Sequence, residues 1–490
     1  SYRDPLDTLG RGVGRPLQSP KDFEFGVRLF DSDQYGLGDL FFERALAYKC
    51  RTHDPSTADL FFVPIFTGRF NMRGATPCAE AKNSSPPYGG GLARLRLALP
   101  DNPNRSVHTS VLEARGGADH VVLQPRTAMH WEQQPVCEVS LADSAFGNPV
   151  RLSMEAPEQA MGSWIFPEAA GTQHIMPERG YHSIPWTSLI HLDLDSRRPF
   201  PWESAHQRAI FVAANFKVTR WPAVQFPKPV HMLRLELRDR CKRLRNASSC
   251  TYVEPQPSTV PLATTRSLAN GAVDPASTEA TSKRVAPYLT IAQLYRRSTF
   301  CLQPGGDTIS RKAIVDSLLF GCIPVLFHKG QRALWPWHWG GWVRNATVLF
   351  DEKAVRSGEL DPIATLEALD AEKVLSMQKT IARFGHRMQY STLDTATLQH
   401  HGVLTAEQPV DAFDLALEGA LRLSLDTTRQ CSGLKAQQHA RLKRGQVGEV
   451  QNDPTPKASG RANIQHERDL RRNQSACWMR DRERTVGTPG

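Results

Sequence analysis

The sequence predicts an α/β protein with parallel sheets, and three observations support this fold class. Residues 298–327 alternate a short apolar run, a Gly-rich loop, an amphipathic helix and a second apolar run. Residues 25–66 repeat the order of strand, loop, amphipathic helix and strand. Such alternation is typical of strand–helix–strand units in a parallel sheet. With 490 residues, 40% of them hydrophobic, the chain also has enough apolar material for two packed domains or more.

The loop of residues 304–308 lies between the first strand and the helix of the segment 298–327. Gly305 and Gly306 carry no side chain, so the backbone amides of this loop can approach a ligand closely. We expect Asp307 or Thr308 to cap the helix that follows, since both residue types accept hydrogen bonds from free amides. The loop therefore predicts a binding site at the start of a helix.

Positive charge follows this loop. A helix N-terminus presents free amides and the positive end of its dipole, which suits a phosphate group. Arg311 and Lys312 add fixed charge there, and an arginine can hold a diphosphate bidentately. Asp316, further along the helix, could accept hydrogen bonds from ribose hydroxyls. Considered alone, the same residues also fit a simpler interpretation, a solvated Arg–Lys pair beside a capping aspartate.

The whole string of residues 298–327, STFCLQPGGDTISRKAIVDSLLFGCIPVLF, resembles the carboxy-terminal signature of the exostosin-like glycosyltransferases, especially the plant xyloglucan galactosyltransferase-like branch. The resemblance implies a GT-B fold, with two Rossmann-like domains facing a central cleft. It also implies a UDP-linked sugar as donor substrate, inversion at the anomeric carbon, and no cofactor or metal. The residues that it assigns to donor binding are Gly305, Gly306, Asp307, Thr308, Ser310, Arg311 and Asp316.

The resemblance continues in the amino-terminal half, through YGLGDLFFERAL and THDPSTADLFFVP. Where relatives read Gly-Arg-Asp-His-Phe, this chain keeps Asp119 and His120 but carries Ala118. Because α/β proteins place active-site groups at strand tips, we predict that His120 or Asp119 deprotonates the acceptor hydroxyl. A structural histidine, hydrogen-bonded to a neighbouring loop, is the alternative. Ala118, and Ala214 or Asn215 where relatives carry a glycine, favour a second function, a catalytically silent exostosin-like subunit or glycan-binding protein.

Composition divides the chain into segments. We expect a disordered segment at 1–20, an acceptor-side Rossmann-like domain at 21–205, and a Rossmann-like domain that binds the nucleotide sugar at 206–400. The second domain contains a Pro-, Ser- and Thr-rich stretch at 254–286, which predicts a disordered insertion. Beyond residue 425 no apolar period is sustained, so we expect 426–490 to be a disordered basic tail.

Cysteines and sequons point to an oxidising, secretory compartment. Cys241 and Cys250 bracket a polar loop and are the best candidates for a local disulfide, and Cys50 could pair with Cys78. We expect Cys301 and Cys322 to be small core residues rather than ligands. Asn-x-Ser/Thr triplets at 83, 104, 246, 345 and 473 add to this interpretation. The family resemblance implies a Golgi lumenal, type II membrane protein whose anchor is absent from this chain.

Charge and motifs limit the partners. The excess of 60 basic over 50 acidic residues is modest for this length, and no nucleic-acid-binding module is present. The Arg-rich helix predicted at 230–244 has an apolar stripe, so its basic residues are expected to form a solvated face. We expect a nucleotide sugar and a glycan or glycoprotein acceptor as partners, with a possible homo- or hetero-oligomer of related transferases. The sugar itself is not fixed, and galactose, glucuronic acid, xylose and arabinose donors all fit.

Two further motifs could take part in sugar or metal binding, a cluster of tryptophans and a pair of Asp-x-Asp triplets. Four tryptophans, Trp335, Trp337, Trp339 and Trp342, could form a surface on which a sugar stacks, or could be core. The triplets Asp31-Ser32-Asp33 and Asp193-Leu194-Asp195 match the letters of a metal-binding Asp-x-Asp motif. Both lie far in sequence from the predicted diphosphate loop, so no metal site is expected there.

Overall fold

The computed structural model describes residues 26–30, 32, 36–63, 117–124, 149–155, 181–203, 208–218, 229–244, 246, 248–255, 289–306, 308–408 and 410–426. These residues form two parallel sheets with helices packed against them, which confirms the predicted α/β class. The predicted segments 1–20, 426–490 except for the helical residue 426, and nearly all of 254–286 lie outside the described residues.

The first sheet has four parallel strands in the order in which they occur along the chain. They are β1 (Phe61–Val63), β2 (His120–Gln124), β3 (Val150–Ser153) and β4 (Tyr181–Ser183). All four residues of β3 are buried, as are His120 to Leu123 of β2. Burial of consecutive residues explains the continuous apolar run Val121 to Leu123 in β2, since both faces of a parallel sheet are covered, whereas β3 buries the polar residues Arg151 and Ser153 beside its apolar ones.

The second sheet has five parallel strands, β5 (Ile210–Asn215), β6 (Cys250–Val253), β7 (Ser298–Gln303), β8 (Ile323–Leu326) and β9 (Val348–Leu349). Their spatial order is β6-β5-β7-β8-β9. Numbered from the first strand of this sheet, the order is 2-1-3-4-5, which is one of the two common doubly wound topologies. In that topology the connections reverse direction between the first and third strands, here β5 and β7.

Helices occupy most of the remaining described chain. The structure has α1 (Leu37–Leu46), α2 (Pro229–Arg243), α3 (289–296), α4 (Lys312–Leu319), α5 (Lys329–Ala333), α6 (Pro336–Trp339), α7 (Glu352–Ser357), α8 (Pro362–Glu367), α9 (Ala371–Phe384), α10 (Thr395–His400) and α11 (412–426), with 3₁₀ turns at Pro201–Glu203, Val343–Asn345 and Gly385–Met388. Among these described helices, none has the length and apolar character needed to cross a membrane.

The segment that the sequence identified as central, 298–327, folds as β7, loop, α4 and β8. One detail was wrong. The residue that caps α4 is Arg311, not Asp307 or Thr308, and no side chain caps that end. The loop is therefore longer than predicted and extends to Arg311. Gly321 ends the helical segment at φ +74°, a left-handed conformation that glycine adopts without strain.

Two disulfides form within the second sheet and its helices. Cys241 of α2 bonds Cys250 of β6, as predicted. Cys301 and Cys322 are fully buried, as expected of core residues, and they also form a disulfide that the sequence interpretation did not include. Strand register explains the bond, because Cys301 lies beside Pro324 and Cys322 comes two residues before it. Cys50 is a free, exposed thiol, so the suggested Cys50–Cys78 bond is not formed.

Candidate functional site

The candidate site lies where the carboxyl ends of β5 and β7 meet. Ligands of doubly wound sheets bind in the crevice at the point where the strand order reverses, outside the carboxyl ends of the strands. Here that point is marked by Asn215, the last residue of β5, and Gln303, the last residue of β7. The loop of residues 304–311 begins directly after Gln303, so the fold places the predicted diphosphate loop at this position.

Arg311 lies under the loop and joins both strand ends. One guanidinium nitrogen, Nη1, donates to Oε1 of Gln303 over 2.9 Å and to the carbonyl of Pro304 over 3.3 Å. Nη2 donates to the carbonyl of Asn215 over 3.1 Å. Burial lowers the pKa of Arg311, while the nearby phenol of Tyr295 opposes that shift. Arg311 is therefore a cation held in place by three oxygens at the strand-order reversal.

The loop is tightened by its own backbone and by Gln331 of α5. The amide of Gly306 donates to the carbonyl of Thr308 over 2.7 Å. Nε2 of Gln331 donates to the carbonyls of Gln303 and Ile309 over 3.0 and 3.1 Å, and its Oε1 accepts from the amides of Phe327 and His328. These bonds fix both ends of the loop with a single buried amide side chain. Asp307, which the sequence assigned to donor binding, lies outside the described residues.

Arg234 of α2 is a site residue that the sequence interpretation missed. Its Nε donates to the carbonyl of Gly305 over 2.8 Å and its Nη1 to the carbonyl of Lys217 over 3.0 Å. A Cβ placed on Gly306 would lie 3.0 Å from Nη2 of Arg234, so this close approach requires a glycine or a movement of the arginine. The helix bounds were predicted well, but Arg234 faces the loop rather than solvent, which corrects the expected solvated basic face at this position.

Asp316 and Lys312 of α4 contact each other and the first half of the chain. Nζ of Lys312 lies 2.8 and 3.0 Å from the two carboxylate oxygens of Asp316. The amide of Leu189 donates to Oδ1 of Asp316 over 2.9 Å. Asp316 is buried, so a hydroxyl of ribose would have to share or replace these contacts. Its predicted ribose contact stays a prediction.

The loop also contacts the carboxyl edge of the first sheet. The amide of Ser310 donates to Oε1 of Glu155 over 3.2 Å, and Glu155 lies two residues beyond the end of β3. Thr308, beside it, is buried and lies within 3.4 Å of the Ser310 hydroxyl. No strong sequence pattern surrounds Glu155, and its only signal was a carboxylate shortly after the apolar residues Val150, Leu152 and Met154.

Trp335 makes a second contact between the two sheets. Its amide donates to Oγ of Ser183 over 2.8 Å, and its indole nitrogen donates to the carbonyl of Met154 over 3.0 Å. Trp335 has φ +50°, a left-handed conformation that is strained for a bulky residue and persists only where the surroundings hold it. Trp335, Trp339 and Trp342 are buried, so they belong to the core. Trp337 is half-buried and stacks on His182 at 4.9 Å.

Asp119 and His120 lie at the opposite edge of the first sheet. Nδ1 of His120 lies 2.8 Å from Oδ1 of Asp119, and the imidazole stacks on Phe61 at 5.0 Å. His120 is the first residue of β2, whereas Gln124 ends it, so the strand length of about 13 Å separates His120 from the carboxyl edge. This corrects the predicted position. The pair lies at a strand tip, as the sequence suggested, but it is the tip where β2 begins and not the carboxyl end.

One of the two Asp-x-Asp triplets, Asp193-Leu194-Asp195, lies within the described residues and is held by an arginine. Arg28 forms ion pairs with Asp193, at 3.4 Å, and with Asp195. Oδ1 of Asp193 also accepts from the Asp195 amide and the Ser196 hydroxyl. Asp31 and Asp33 lie outside the described residues. Within the described chain no group of three or more His, Cys, Asp or Glu side chains is arranged to hold a metal ion.

Comparison with known proteins adds a family to this geometry. The exostosin GT47 domain matches residues 17–338. A probable xyloglucan galactosyltransferase, GT15 of Arabidopsis thaliana, is 23% identical over 423 residues, which are 85% of this chain and 74% of the relative. The xyloglucan galactosyltransferase MUR3 is 22% identical over 84% of this chain and 56% of its own length. A xyloglucan-specific galacturonosyltransferase of the same plant is 23% identical over 81% of this chain and 50% of the relative.

This chain thus spans between half and three quarters of the length of these relatives. The match to the exostosin GT47 domain covers well over half of the chain and includes both parallel sheets as far as β8. The chain therefore belongs to the exostosin GT47 family of glycosyltransferases.

Proposed function

We propose that this protein is an inverting glycosyltransferase that moves a sugar from a UDP-linked donor to a glycan acceptor. The observation that carries the proposal is the contact between Ser310 and Glu155, because it brings the loop at the strand-order reversal against the carboxyl edge of the first sheet. Two parallel sheets that face each other through their carboxyl edges are the arrangement that a GT-B cleft requires. The names of the relatives, which transfer galactosyl or galacturonosyl groups to xyloglucan, support a hexosyl donor.

The donor diphosphate would lie against the loop. Gly305, Gly306, Thr308 and Ser310, with Asp307 in the same proposed set, would contact it through backbone amides and hydroxyls, and the Gly306 and Ser310 amides would exchange their present bonds to Thr308 and Glu155. Arg311 and Arg234 supply positive charge at the two sides of the loop, at 2.8 to 3.3 Å from its carbonyls or those of the adjoining strand ends. Fixed cations and amides stabilise a leaving diphosphate because they need no rearrangement as its charge develops. In this proposal no metal is needed, and Asp316 would contact the ribose by exchanging its bond to Lys312.

The acceptor would approach from the first sheet, where an inverting transfer needs a base. We place that base at the carboxyl edge, and Glu155 is the carboxylate that the fold puts beside the donor loop. A carboxylate can accept the proton of an acceptor hydroxyl as the glycosidic bond forms. His120 and Asp119 remain the alternative of the sequence interpretation, but they start β2 at the far edge.

The experiment measures donor binding and turnover separately. Nucleotide sugars with galactose, galacturonic acid, glucuronic acid, xylose and arabinose are screened by thermal shift, since a ligand of the native state raises its apparent stability. Transfer to xyloglucan oligosaccharides is then measured for the wild type, Glu155→Gln and His120→Gln. We expect Glu155→Gln to keep UDP affinity and lose turnover, and His120→Gln to keep both.

Loss of turnover in His120→Gln with full activity in Glu155→Gln would reverse the assignment of the base. Binding of a UDP-sugar with no transfer to any acceptor would instead support the catalytically silent subunit that Ala118 and Ala214 favour. A chain that binds none of the nucleotide sugars would overturn the proposed function as a whole. The two disulfides support, in addition, a lumenal location such as the Golgi, since disulfides persist in oxidising compartments.

A further inference from the structure

A cavity opens on the side of the molecule away from the donor loop. It has a volume of about 480 Å³ and lies between α9 and the 3₁₀ turn Val343–Asn345. That turn leads into β9 and therefore lies at the amino end of a parallel strand, whereas the donor loop lies at the carboxyl ends. The cavity is thus a separate feature from the proposed donor site. The lining residues used here are Trp342, Asn345, Lys379, Thr380, Arg383 and Arg387.

Three cations line this cavity along one helical edge. Lys379 and Arg383 are one turn apart on α9, and Arg387 follows at the same interval in the 3₁₀ turn after it. Four residues of α-helix rise roughly 6 Å, so the charges form a short row. Among the described residues, no carboxylate lies within ion-pair distance, 4.0 Å, of any of the three. Arg383 rests over the ring of Phe384 at 5.0 Å, which holds the guanidinium near the opening.

Arg387 is the most constrained of the three. Burial lowers its pKa, and Glu418 is the described carboxylate that opposes this shift. Glu418 itself is paired with Arg422. Nε of Arg387 has no hydrogen-bond partner among the described residues. Arg387 is therefore a half-buried cation with one unpaired nitrogen, and an anion placed beside it would supply the missing partner.

Neutral polar groups lie between the cations. Thr380 donates its hydroxyl to the carbonyl of Ser376 over 2.9 Å, which leaves the hydroxyl oxygen able to accept a further bond. Asn345, the first residue of an Asn-x-Thr triplet, is exposed at the rim, and in the unglycosylated protein it offers both an acceptor and donors. Trp342 stacks on Phe384 at 5.7 Å and forms the apolar wall. Cations, hydroxyl and amide groups and an aromatic wall together match a ligand that carries both carboxylates and hydroxyls.

We propose that this cavity is an accessory binding site for an acidic saccharide, a glycan chain that carries uronate residues. Arginine binds carboxylates bidentately, and a row of cations on a repeat of roughly 6 Å can contact successive acidic sugars. The volume falls in the range of small-ligand sites and accommodates a few sugar units. Such a site would hold an acidic glycan on the enzyme without taking part in the transfer. It goes beyond the proposed function, which needs only the donor loop and the first sheet.

The test is calorimetric binding of trigalacturonate, with maltotriose as the neutral sugar and inorganic sulfate as the simple anion. We expect trigalacturonate to bind, with affinity that falls at higher salt because exposed charges are screened. The double variant Lys379→Gln/Arg383→Gln should weaken binding by at least roughly tenfold, because two charge-assisted contacts are lost. A matched control, Lys353→Gln/Arg243→Gln, removes two charges from α7 and α2 and should bind as the wild type does.

Three results would overturn the proposal. These are equal losses in both double variants, unchanged affinity in Lys379→Gln/Arg383→Gln, or sulfate or maltotriose binding as tightly as trigalacturonate. UDP affinity and thermal unfolding are measured for each variant, which shows that the fold is intact. These controls also keep the two proposals apart. A chain that binds UDP-sugar but not trigalacturonate contradicts only the accessory site, and the reverse result contradicts only the proposed donor site.

Discussion

The backbone amide of Ser310 and the carboxylate of Glu155 are 3.2 Å apart, although 155 residues separate them in the chain. Ser310 ends the loop that follows β7, and Glu155 follows β3 of the other sheet. The contact fixes which edges of the two sheets meet, since both residues lie beyond the carboxyl ends of their strands. Any molecule bound to the loop at the strand-order reversal would therefore be within reach of the first sheet.

Replacing Arg311 tests the donor loop. Arg311→Ala should weaken UDP binding by roughly 10- to 100-fold, because a charge-assisted contact is lost and the loop is released from the ends of β5 and β7. Arg311→Lys keeps the charge but cannot bridge three carbonyl or amide oxygens. Its affinity for UDP should therefore lie between those of the wild type and Arg311→Ala. Calorimetric titration with UDP measures both. Loss of turnover with unchanged UDP affinity would contradict the assigned role.

Much of this loop could be predicted from the sequence. The apolar runs of β7 and β8, the glycines between them and the helix after them are local patterns, and the structure has them within a few residues of the predicted bounds. The contacts that could not be predicted from the sequence depend on strand register and on which side of a helix faces the loop. Cys301 meets Cys322 only because β7 and β8 pair with a particular offset, and Arg234 reaches the loop only because α2 packs with that side facing Gly305.

The position of His120 within its strand has the same explanation. A pattern of residues shows that a strand exists, but the useful end of that strand follows from how the sheet is assembled. Asp119 and His120 precede the apolar run of β2, and a parallel sheet places active-site groups after such runs. For the four tryptophans the sequence left both alternatives open, and burial separates them, with three in the core and Trp337 half-exposed beside His182.

Substitution of Trp335 should reduce the free energy of unfolding more than substitution of the other three tryptophans. Trp335→Phe keeps most of the packing but leaves the carbonyl of Met154 without its donor, so we expect a loss of about 1–3 kcal/mol in the free energy of unfolding. Trp335→Ala should lose about 3–5 kcal/mol through cavity formation. Urea unfolding measures each variant, with Trp337→Phe as the control, which should change stability by less than about 1 kcal/mol. Equal losses at both positions would argue against the special role of Trp335.

Removal of metal should leave transfer unchanged. In the proposed site, Arg311, Arg234 and the loop amides would supply the positive charge that a divalent cation would otherwise bring to the diphosphate. Asp193 and Asp195 are already paired with Arg28. Activity is measured before and after EDTA treatment, and again after addition of Mn²⁺ or Mg²⁺. Complete loss with EDTA and recovery with Mn²⁺ would mean that the diphosphate assignment is wrong.

Deletion of residues 427–490 should preserve the fold and UDP binding. The described helix α11 ends at residue 426 and packs through Phe413, Ala416 and Ala420, all of which the deletion keeps. The removed sequence has no apolar period that could add core. We expect the melting temperature to change by less than about 2 °C, measured by calorimetry. A shift of 10 °C or more would show that the tail is part of the folded structure.

The free energy of unfolding should depend on pH between 4 and 6.5, and Asp414 should weaken that dependence. Burial lowers the pKa of His182, His191 and His386 to about 4 and of His338 to about 3, from an ordinary value of 6.5. The unfolded chain then binds more protons in this window, so stability rises with pH. Burial and the neighbouring Asp411 raise the pKa of Asp414 from 3.8 to about 6, and this group makes stability fall as pH rises from about 4 to 6.

Asp414→Asn should therefore steepen the rise of stability between pH 4 and 6. Urea unfolding of the wild type and the variant at pH 4.5, 5.5 and 6.5 gives the comparison. The amide can still accept the hydrogen bond of the Thr395 hydroxyl, which limits other effects of the substitution. Parallel profiles for the two proteins would show that Asp414 does not carry the expected proton.

The strained backbone of Trp335 limits how the two halves of the enzyme can be recombined. Its amide donates to Oγ of Ser183 and its indole to the backbone carbonyl of Met154, and both residues belong to the half of the chain that forms the first sheet. A chimera that takes the second sheet from this chain and the first from a relative without serine at position 183 would leave the amide of this tryptophan without its acceptor, although a backbone carbonyl would remain at position 154. The two sheets are therefore not independent modules at this position, and an engineer who exchanges one of them must carry Ser183 along with the tryptophan.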